Sequence, residues 1–210
     1  MRSDAIIHVV DDDAAIRQSL AFLLATDGFA VRVHDGAESF LANVSDPGSG
    51  CVVTDVRMPG VDGMALLSEL RSRGATIPVI VMTGHADVPL AVEAMRRGAS
   101  DFIEKPFDDE VLLAAIRSAL MRRQEAVRSN AEALEVRERI AALSERERQV
   151  LDGLVAGKAN KVIGFDLEIS PRTVEIYRAN VMSKMRANSL SELVRLALKA
   201  DLEPLRGLPE

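Results

Sequence analysis

Short apolar runs at residues 5–10, 29–33, 50–54, 78–83 and 100–104 alternate with amphipathic stretches at 14–25, 36–44, 64–73 and 88–97 and one that begins at Asp109. Brief β-rich runs separated by helical patterns imply a doubly wound, five-stranded parallel sheet with helices on both faces. The first, third and fourth runs are continuously apolar, as central strands are when both of their faces are buried. Asp27-Gly28, Asp35-Gly36, Asp46-Pro47-Gly48, Pro59-Gly60, Arg73-Gly74 and Arg97-Gly98 punctuate the pattern as turns.

Beyond Asp109 the helical pattern continues through a charged stretch, 121–142, that holds no Gly or Pro. Val127, Ala131, Leu134 and Ile140 keep an apolar stripe along it. That stripe suits either a solvated linker helix or a short dimeric coiled coil, and two or three heptads do not separate the two. From Leu143 every pattern is helical. Ser144 and Glu147 make a capping box for one helix that runs to Gly157. A short helix follows at 160–167, then the turn Glu168-Ile169-Ser170. Ser170 caps a third helix with Pro171 at its first position and Val174, Val181 and Met185 inward. Ser189 caps a fourth, whose apolar face holds Leu190, Leu193, Leu196 and Ala197. Two short helices joined by a tight turn inside a four-helix unit read as a helix-turn-helix. The expected organisation is therefore an α/β domain at 1–121, a helical linker at 122–142, an all-α domain at 143–200 and a tail at 201–210.

Charge separates the two domains further. Residues 1–121 carry 10 Lys/Arg against 18 Asp/Glu, whereas 144–200 carry 10 against 7, within a chain of net charge −6. An acidic first domain and a mildly basic second suggest a cation in front and a polyanion behind. No apolar run approaches the roughly 18 residues a membrane span needs, and the amino terminus, Met1 to Asp4, lacks a signal-peptide cleavage pattern. The lone cysteine, Cys51, falls inside a strand and fits a buried, inert thiol in a reducing cytoplasm.

The acidic domain concentrates its chemistry at strand ends, where open α/β sheets place their sites. Asp11, Asp12 and Asp13 follow the first strand, Asp55 ends the third, Thr83 the fourth and Lys105 the fifth. Asp13 reads as the cap of the first helix. Asp11, Asp12 and Asp55 crowd together unfavourably unless a cation lies among them, and oxygen-only ligands select a hard ion, Mg²⁺. A phosphoryl group on Asp55 would find its oxygens matched by Mg²⁺, the Thr83 hydroxyl and the Lys105 ammonium. Pro106 makes the preceding peptide a candidate for the cis form.

Asp11-Asp12, the run from Asp55 to Pro59, Thr83 and Lys105-Pro106 resemble the receiver signature of two-component response regulators, a flavodoxin-like fold. The stretch from Thr83 to Phe107 is similar to the FixJ subgroup in particular. The resemblance implies Asp55 as phosphoacceptor and Asp11, Asp12, Asp55 and the backbone carbonyl of Arg57 as the Mg²⁺ site. It makes Phe102 a switch aromatic moving with Thr83. It also implies a cognate histidine kinase and a homodimer formed on phosphorylation through the fourth helix, fifth strand and fifth helix. That face would include Ala91, Ala94, Met95, Asp101, Phe102 and Ile103. His85, near Thr83, could tune turnover, although a lone loop histidine is more often a spectator.

The second domain resembles the LuxR/FixJ-type DNA-binding unit at Leu143 to Leu151, Ala159 to Gly164 and Ile169 to Glu175. The helix 171–185 would then enter the major groove of promoter DNA, with Arg172 on its free face. Glu175 could accept from cytosine, Arg178 could read guanine or hold phosphate, and Ala179 could meet a thymine methyl. Asn160, Lys161, Thr173 and Lys184 suit phosphate contacts. Gly164 stands where that family usually has alanine, a change worth about 1 kcal/mol of helix stability, and Tyr177 replaces a common histidine.

Together these features imply a cytoplasmic, phosphorylation-activated regulator that recruits RNA polymerase, with oxygen-controlled nitrogen fixation as the pathway the FixJ likeness suggests. Two other readings fit less of the chain. A haloacid-dehalogenase-like phosphatase needs an acid two residues after its nucleophile, and that position is Arg57. A ligand-sensing LuxR-type regulator needs an aromatic-lined cavity, whereas the first domain is acidic and poor in aromatics. No turnover of an outside substrate is expected.

Overall fold

Five strands, β1 (Ile6–Val10), β2 (Ala30–His34), β3 (Cys51–Asp55), β4 (Val79–Thr83) and β5 (Asp101–Glu104), form one parallel sheet in the order β2-β1-β3-β4-β5. The computed structural model describes residues 5–44, 50–84 and 88–200. Residues before Ala5, the turn Asp46-Pro47-Gly48, His85 and the tail from 201 lie outside them.

Strand periodicity sorts the core into two layers. Ile7, Val9, Cys51, Val53, Ile80 and Met82 share one cluster, and Val10, Val52, Val79 and Val81 the other. The first layer is covered by α1 (Ala14–Thr26), through Leu20 and Leu24, and by α5 (Asp109–Ala141), through Leu112 and Ile116. The second is covered by α2 (Ala37–Asn43), α3 (Gly63–Ser72) and α4 (Val88–Arg96), through Phe40, Leu66, Leu67 and Ala94. Every residue of β3 and β4 is buried, so the continuous apolar runs do mark strands enclosed on both faces. The register sets Val10 opposite Thr54 and Asp55 opposite Met82, which brings the carboxyl ends of β1, β3 and β4 to one edge.

The chain divides into two compact units, Met1–Ala126 and Val127–Glu210. α5 is one uninterrupted helix of 33 residues, and its last turns belong to the second unit. The apolar stripe expected along it does not hold together. Val127 and Leu134 are 56% and 57% exposed, while Val136 and Ile140 are buried in the second unit's core. Val136 and Ile140 stand four residues apart and so share a face, and Val127 and Leu134 lie on another.

In the second unit α6 (Glu145–Val155), α7 (Asn160–Asp166), α8 (Pro171–Met185) and α9 (Leu190–Lys199) surround Val150, Leu151, Ile163, Val174, Val181, Met185 and Leu193. The caps form as expected. Ser144 and Glu147 complete a reciprocal capping box, Ser170 accepts from Thr173 N, and Ser189 accepts from Glu192 N. Leu190, placed on the apolar face of α9 by its spacing, is 38% exposed. Gly164 has a steric role as well as a propensity: a Cβ there would stand 2.8 Å from the Ile169 carbonyl oxygen, so the α7–α8 turn closes directly onto it.

Candidate phosphoacceptor site and nucleic-acid interface

At the carboxyl edge of the sheet Lys105 Nζ lies 2.6 Å from Asp55 Oδ1 and 3.0 Å from Asp11 Oδ2. Asp11 and Asp55 are buried, and Lys105 keeps about a fifth of its side chain exposed. Burial alone would lower the lysine pKa, but the hydrogen bonds it donates to Asp55 and Asp11 outweigh it and hold the pKa above its ordinary value. The ammonium is thereby fixed in its charged form between two carboxylates. The backbone completes the placement: Lys105 N donates to Thr83 O at 2.7 Å, and the Lys105-Pro106 peptide is cis. Thr83 is itself 1% exposed at the end of β4.

Asp55 has a second anchor. The Arg57 amide donates to its Oδ2 at 2.6 Å, so the two carboxylate oxygens point to different partners. Asp11 Oδ1 accepts from Asp13 N, and its carbonyl accepts from Arg17 Nη1 at 2.7 Å. Asp13 caps α1 through Ala15 N and Ile16 N, as its position implied. Asp12, expected beside Asp11 as a ligand, is exposed. Among the described residues no three His, Cys, Asp or Glu side chains form a group that could hold a metal. In this conformation Lys105, not a third carboxylate, completes the Asp11–Asp55 pair. The donor set remains all oxygen and already compensates one cation, which fits a hard divalent ion.

Phe102 is half-buried against the α2–α3–α4 layer. A shallow groove of about 560 Å³ runs along β5 and α5, lined by Phe102, Phe107, Val111 and Ala115 among others. On α4, Val92 and Met95 are 45% and 50% exposed. Ala94 and Ile103, expected on this outer face, are instead buried. The turn of α4 points Ala94 inward and the alternation of β5 does the same for Ile103, so the surface is carried by Met95, Val92 and Phe102. Burial pushes the Cys51 thiol up to about 12 and leaves it inert.

In the second unit Arg172, Glu175 and Ala179 are exposed on α8, and Arg178 is half-buried there. Lys161 is exposed at the start of α7 and Asn160 half-buried. Two expected phosphate contacts are otherwise engaged. The Thr173 hydroxyl lies 2.8 Å from Ser170 Oγ. Lys184 Nζ donates to Glu147 Oε2 at 2.6 Å. That carboxylate is buried and also accepts from Ser144 N at 2.7 Å. The Lys184 bond, followed by the Ser144 amide, holds the Glu147 pKa below its usual range. Sequence reasoning missed Ile176, which is 58% exposed on the same face as Arg172 and Ala179. An apolar residue outside the Val174–Val181–Met185 stripe was the available signal.

The sequence matches the response regulator receiver domain over residues 7–117 and the LuxR family of bacterial regulatory proteins over residues 141–197. The chain belongs to the response regulators that join a receiver to a LuxR-type DNA-binding domain. It is 60% identical over 198 residues to the transcriptional regulatory protein FixJ of Azorhizobium caulinodans, an alignment covering 94% of each chain. The crystal structure of full-length FixJ from B. japonicum is 54% identical with a TM-score of 0.61, over 96% of this chain and 99% of that one. The response regulator StyR is 36% identical with a TM-score of 0.75, over 94% and 100%. The protein is thus a phosphorylation-activated transcription regulator of the FixJ type. No described helix is long and apolar enough to cross a membrane.

Proposed function

We propose that Asp55 is the residue a cognate histidine kinase phosphorylates, with Mg²⁺ held by Asp11, Asp12, Asp55 and the Arg57 carbonyl. The observation that carries this reading is the single Lys105 ammonium shared by Asp11 and Asp55 at the carboxyl edge of the sheet. A bound Mg²⁺ would neutralise developing charge on the phosphoryl oxygens. Lys105 and the Thr83 hydroxyl would hold those oxygens in place, and Phe102 would move with Thr83. Addition of about −1.5 to −2 charge at Asp55 would then repack α4, β5 and α5 and favour a homodimer through the surface of Val92, Met95 and Phe102.

Paired second units would bind promoter DNA, with α8 in the major groove. Arg172, Glu175, Arg178, Ala179 and Ile176 would face the bases, and Asn160, Lys161 and the turn around Thr173 the phosphates. Recruitment of RNA polymerase and a cytoplasmic location follow from a promoter-bound role, and likeness to FixJ suggests oxygen-controlled nitrogen fixation. Turnover of an outside substrate is not part of this reading, since Arg57 occupies the place a phosphatase would need for a general acid.

Promoter footprinting tests the proposal with wild type before and after phosphorylation and with Asp55→Ala. Protection should strengthen only for phosphorylated wild type, and equal protection in all three would sink the role of Asp55. A phosphorylated protein that stays monomeric at working concentration would overturn the dimer.

A further inference from the structure

The segment 57–62 carries Asp55's partner Arg57 from β3 to α3, and its two ends are tightly held. Gly63 N donates to Val56 O at 3.0 Å, and a Cβ on Gly63 would stand 2.1 Å from the Asp55 carbonyl oxygen, so α3 starts directly against the strand end. Asp62 caps α3 through Ala65 N. The middle of the segment is held from a different element. Glu38, in the first turn of α2, accepts from Val61 N through Oε1 at 3.0 Å. Gly60, at φ +74°, packs so closely on that carboxylate that a Cβ would lie 2.3 Å from Oε1. Glu38 is exposed, so replacing it opens no cavity in the core.

We propose that Glu38 is a positioning residue for the phosphoacceptor pocket. Its carboxylate, bonded to the Val61 amide and packed on Gly60, fixes the path of segment 57–62 and so keeps the Arg57 backbone against Asp55. This rests on the reading of Asp55 as the Mg²⁺-assisted phosphoacceptor. Released from Val61, the segment samples other paths between its pinned ends. The Arg57 amide then meets Asp55 for only part of the time.

Three variants separate position from charge. Glu38→Gln keeps an oxygen acceptor at the same reach and removes the charge. Glu38→Asp keeps the charge one methylene too short, and Glu38→Ala removes both. Two readouts on the unphosphorylated full chain are Mg²⁺ affinity by titration calorimetry and the Arg57 amide resonance by NMR. Loss of one such hydrogen bond should weaken Mg²⁺ binding roughly threefold to tenfold in the Ala and Asp variants and shift the Arg57 amide. The Gln variant should match wild type in both. Should the Ala variant fail to fold, the Gln and Asp pair still decides the matter. Wild-type behaviour of the Asp variant with loss in Gln would overturn positioning in favour of charge, and wild-type behaviour of all three would overturn any role. If wild type itself binds no Mg²⁺, the pocket reading fails. The Arg57 resonance then tests Glu38 by itself: a shift in Asp but not Gln supports it, and no shift overturns it.

Discussion

Lys105 reaches Asp55 at 2.6 Å from the end of the neighbouring strand pair and spends the same ammonium on Asp11 at 3.0 Å. Removing it leaves two buried carboxylates facing each other without compensation. Lys105→Met should therefore destabilise the Mg²⁺-free protein by about 2 kcal/mol, the scale of a charge-assisted hydrogen bond in a partly buried setting. Saturating Mg²⁺ should raise the urea midpoint of the variant more than that of wild type. Because the folded lysine pKa is raised, its stabilisation is complete below the unfolded value and disappears only as pH rises through the folded one. The difference between wild type and variant should thus be flat from about pH 7 to 9 if the lysine alone carries it. Equal urea midpoints without Mg²⁺ would contradict the bridging role.

A buried histidine pair makes the first unit sensitive to acid. His8 Nδ1 lies 3.1 Å from His34 Nε2, and the Phe40 ring meets both edge-on. Burial first, then the neighbouring His34 and Arg32, lowers the His8 pKa to about 4. His34 is also lowered, chiefly by burial. Below about pH 6.5 the unfolded chain takes up a proton that native His8 refuses until about pH 4. Stability is lost as pH falls through that window and the loss levels off beneath it. Between pH 7.5 and pH 5 His8 should contribute a fall of about 2 kcal/mol. Urea denaturation of a His8→Leu, His34→Leu double variant should show a fall shallower by at least that amount, because the lowered His34 adds to it. An identical pH slope in both proteins would show that the pair does not titrate between the two states.

The α7–α8 turn stores a small strain. Glu168 adopts φ 56°, in the left-handed region, at the point where the helix-turn-helix changes direction. An L side chain there costs roughly 1–2 kcal/mol, part of which glycine returns as greater freedom of the unfolded chain. Glu168→Gly should stabilise the second unit by about 0.5–1 kcal/mol, readable as a higher denaturation midpoint. A lower midpoint would mean that the Glu168 side chain contributes more than its backbone strain.

How far the sequence carried these features depended on the distance over which each is encoded. Asp13, Ser144, Ser170 and Ser189 each cap a helix within the next three residues, and all four were legible. Asp11, Asp55 and Lys105 were legible together because parallel strands must deliver their carboxyl ends to one edge. The Lys184–Glu147 pair joins α8 to α6 across 37 residues, and nothing in local pattern connects them. The same is true of Glu38 and Val61. Ala94 and Ile103 were assigned to the outer face by resemblance, which names elements, whereas burial is set residue by residue through the helix period of 3.6 and the strand period of 2. Val136 sat outside the stripe in a charged stretch, yet the second unit uses it as core together with Ile140, the one stripe residue found buried there.

Lys184 and Lys161 differ in what holds them. Lys184 is held by Glu147 at 2.6 Å, and that carboxylate is also the reciprocal half of the α6 capping box. Its bond ties the carboxyl end of α8 to the start of α6. Lys161 is exposed at the start of α7. Each phosphate contact a lysine makes releases a counterion and steepens the dependence of affinity on salt. Lys161→Ala should therefore weaken binding alike across promoter sequences and reduce the slope of log K against log salt by about 1. Lys184→Ala should instead lower the thermal midpoint of the second unit, because Glu147 remains buried without its cation, and leave the salt slope as in wild type. Acidification should erase that midpoint difference. Glu147, with its pKa depressed by Lys184, stabilises the fold above its unfolded value and ceases to as pH falls through the folded one. A reduced salt slope for Lys184→Ala with no change in midpoint would return Lys184 to the phosphate backbone and leave the α6–α8 tie without a function.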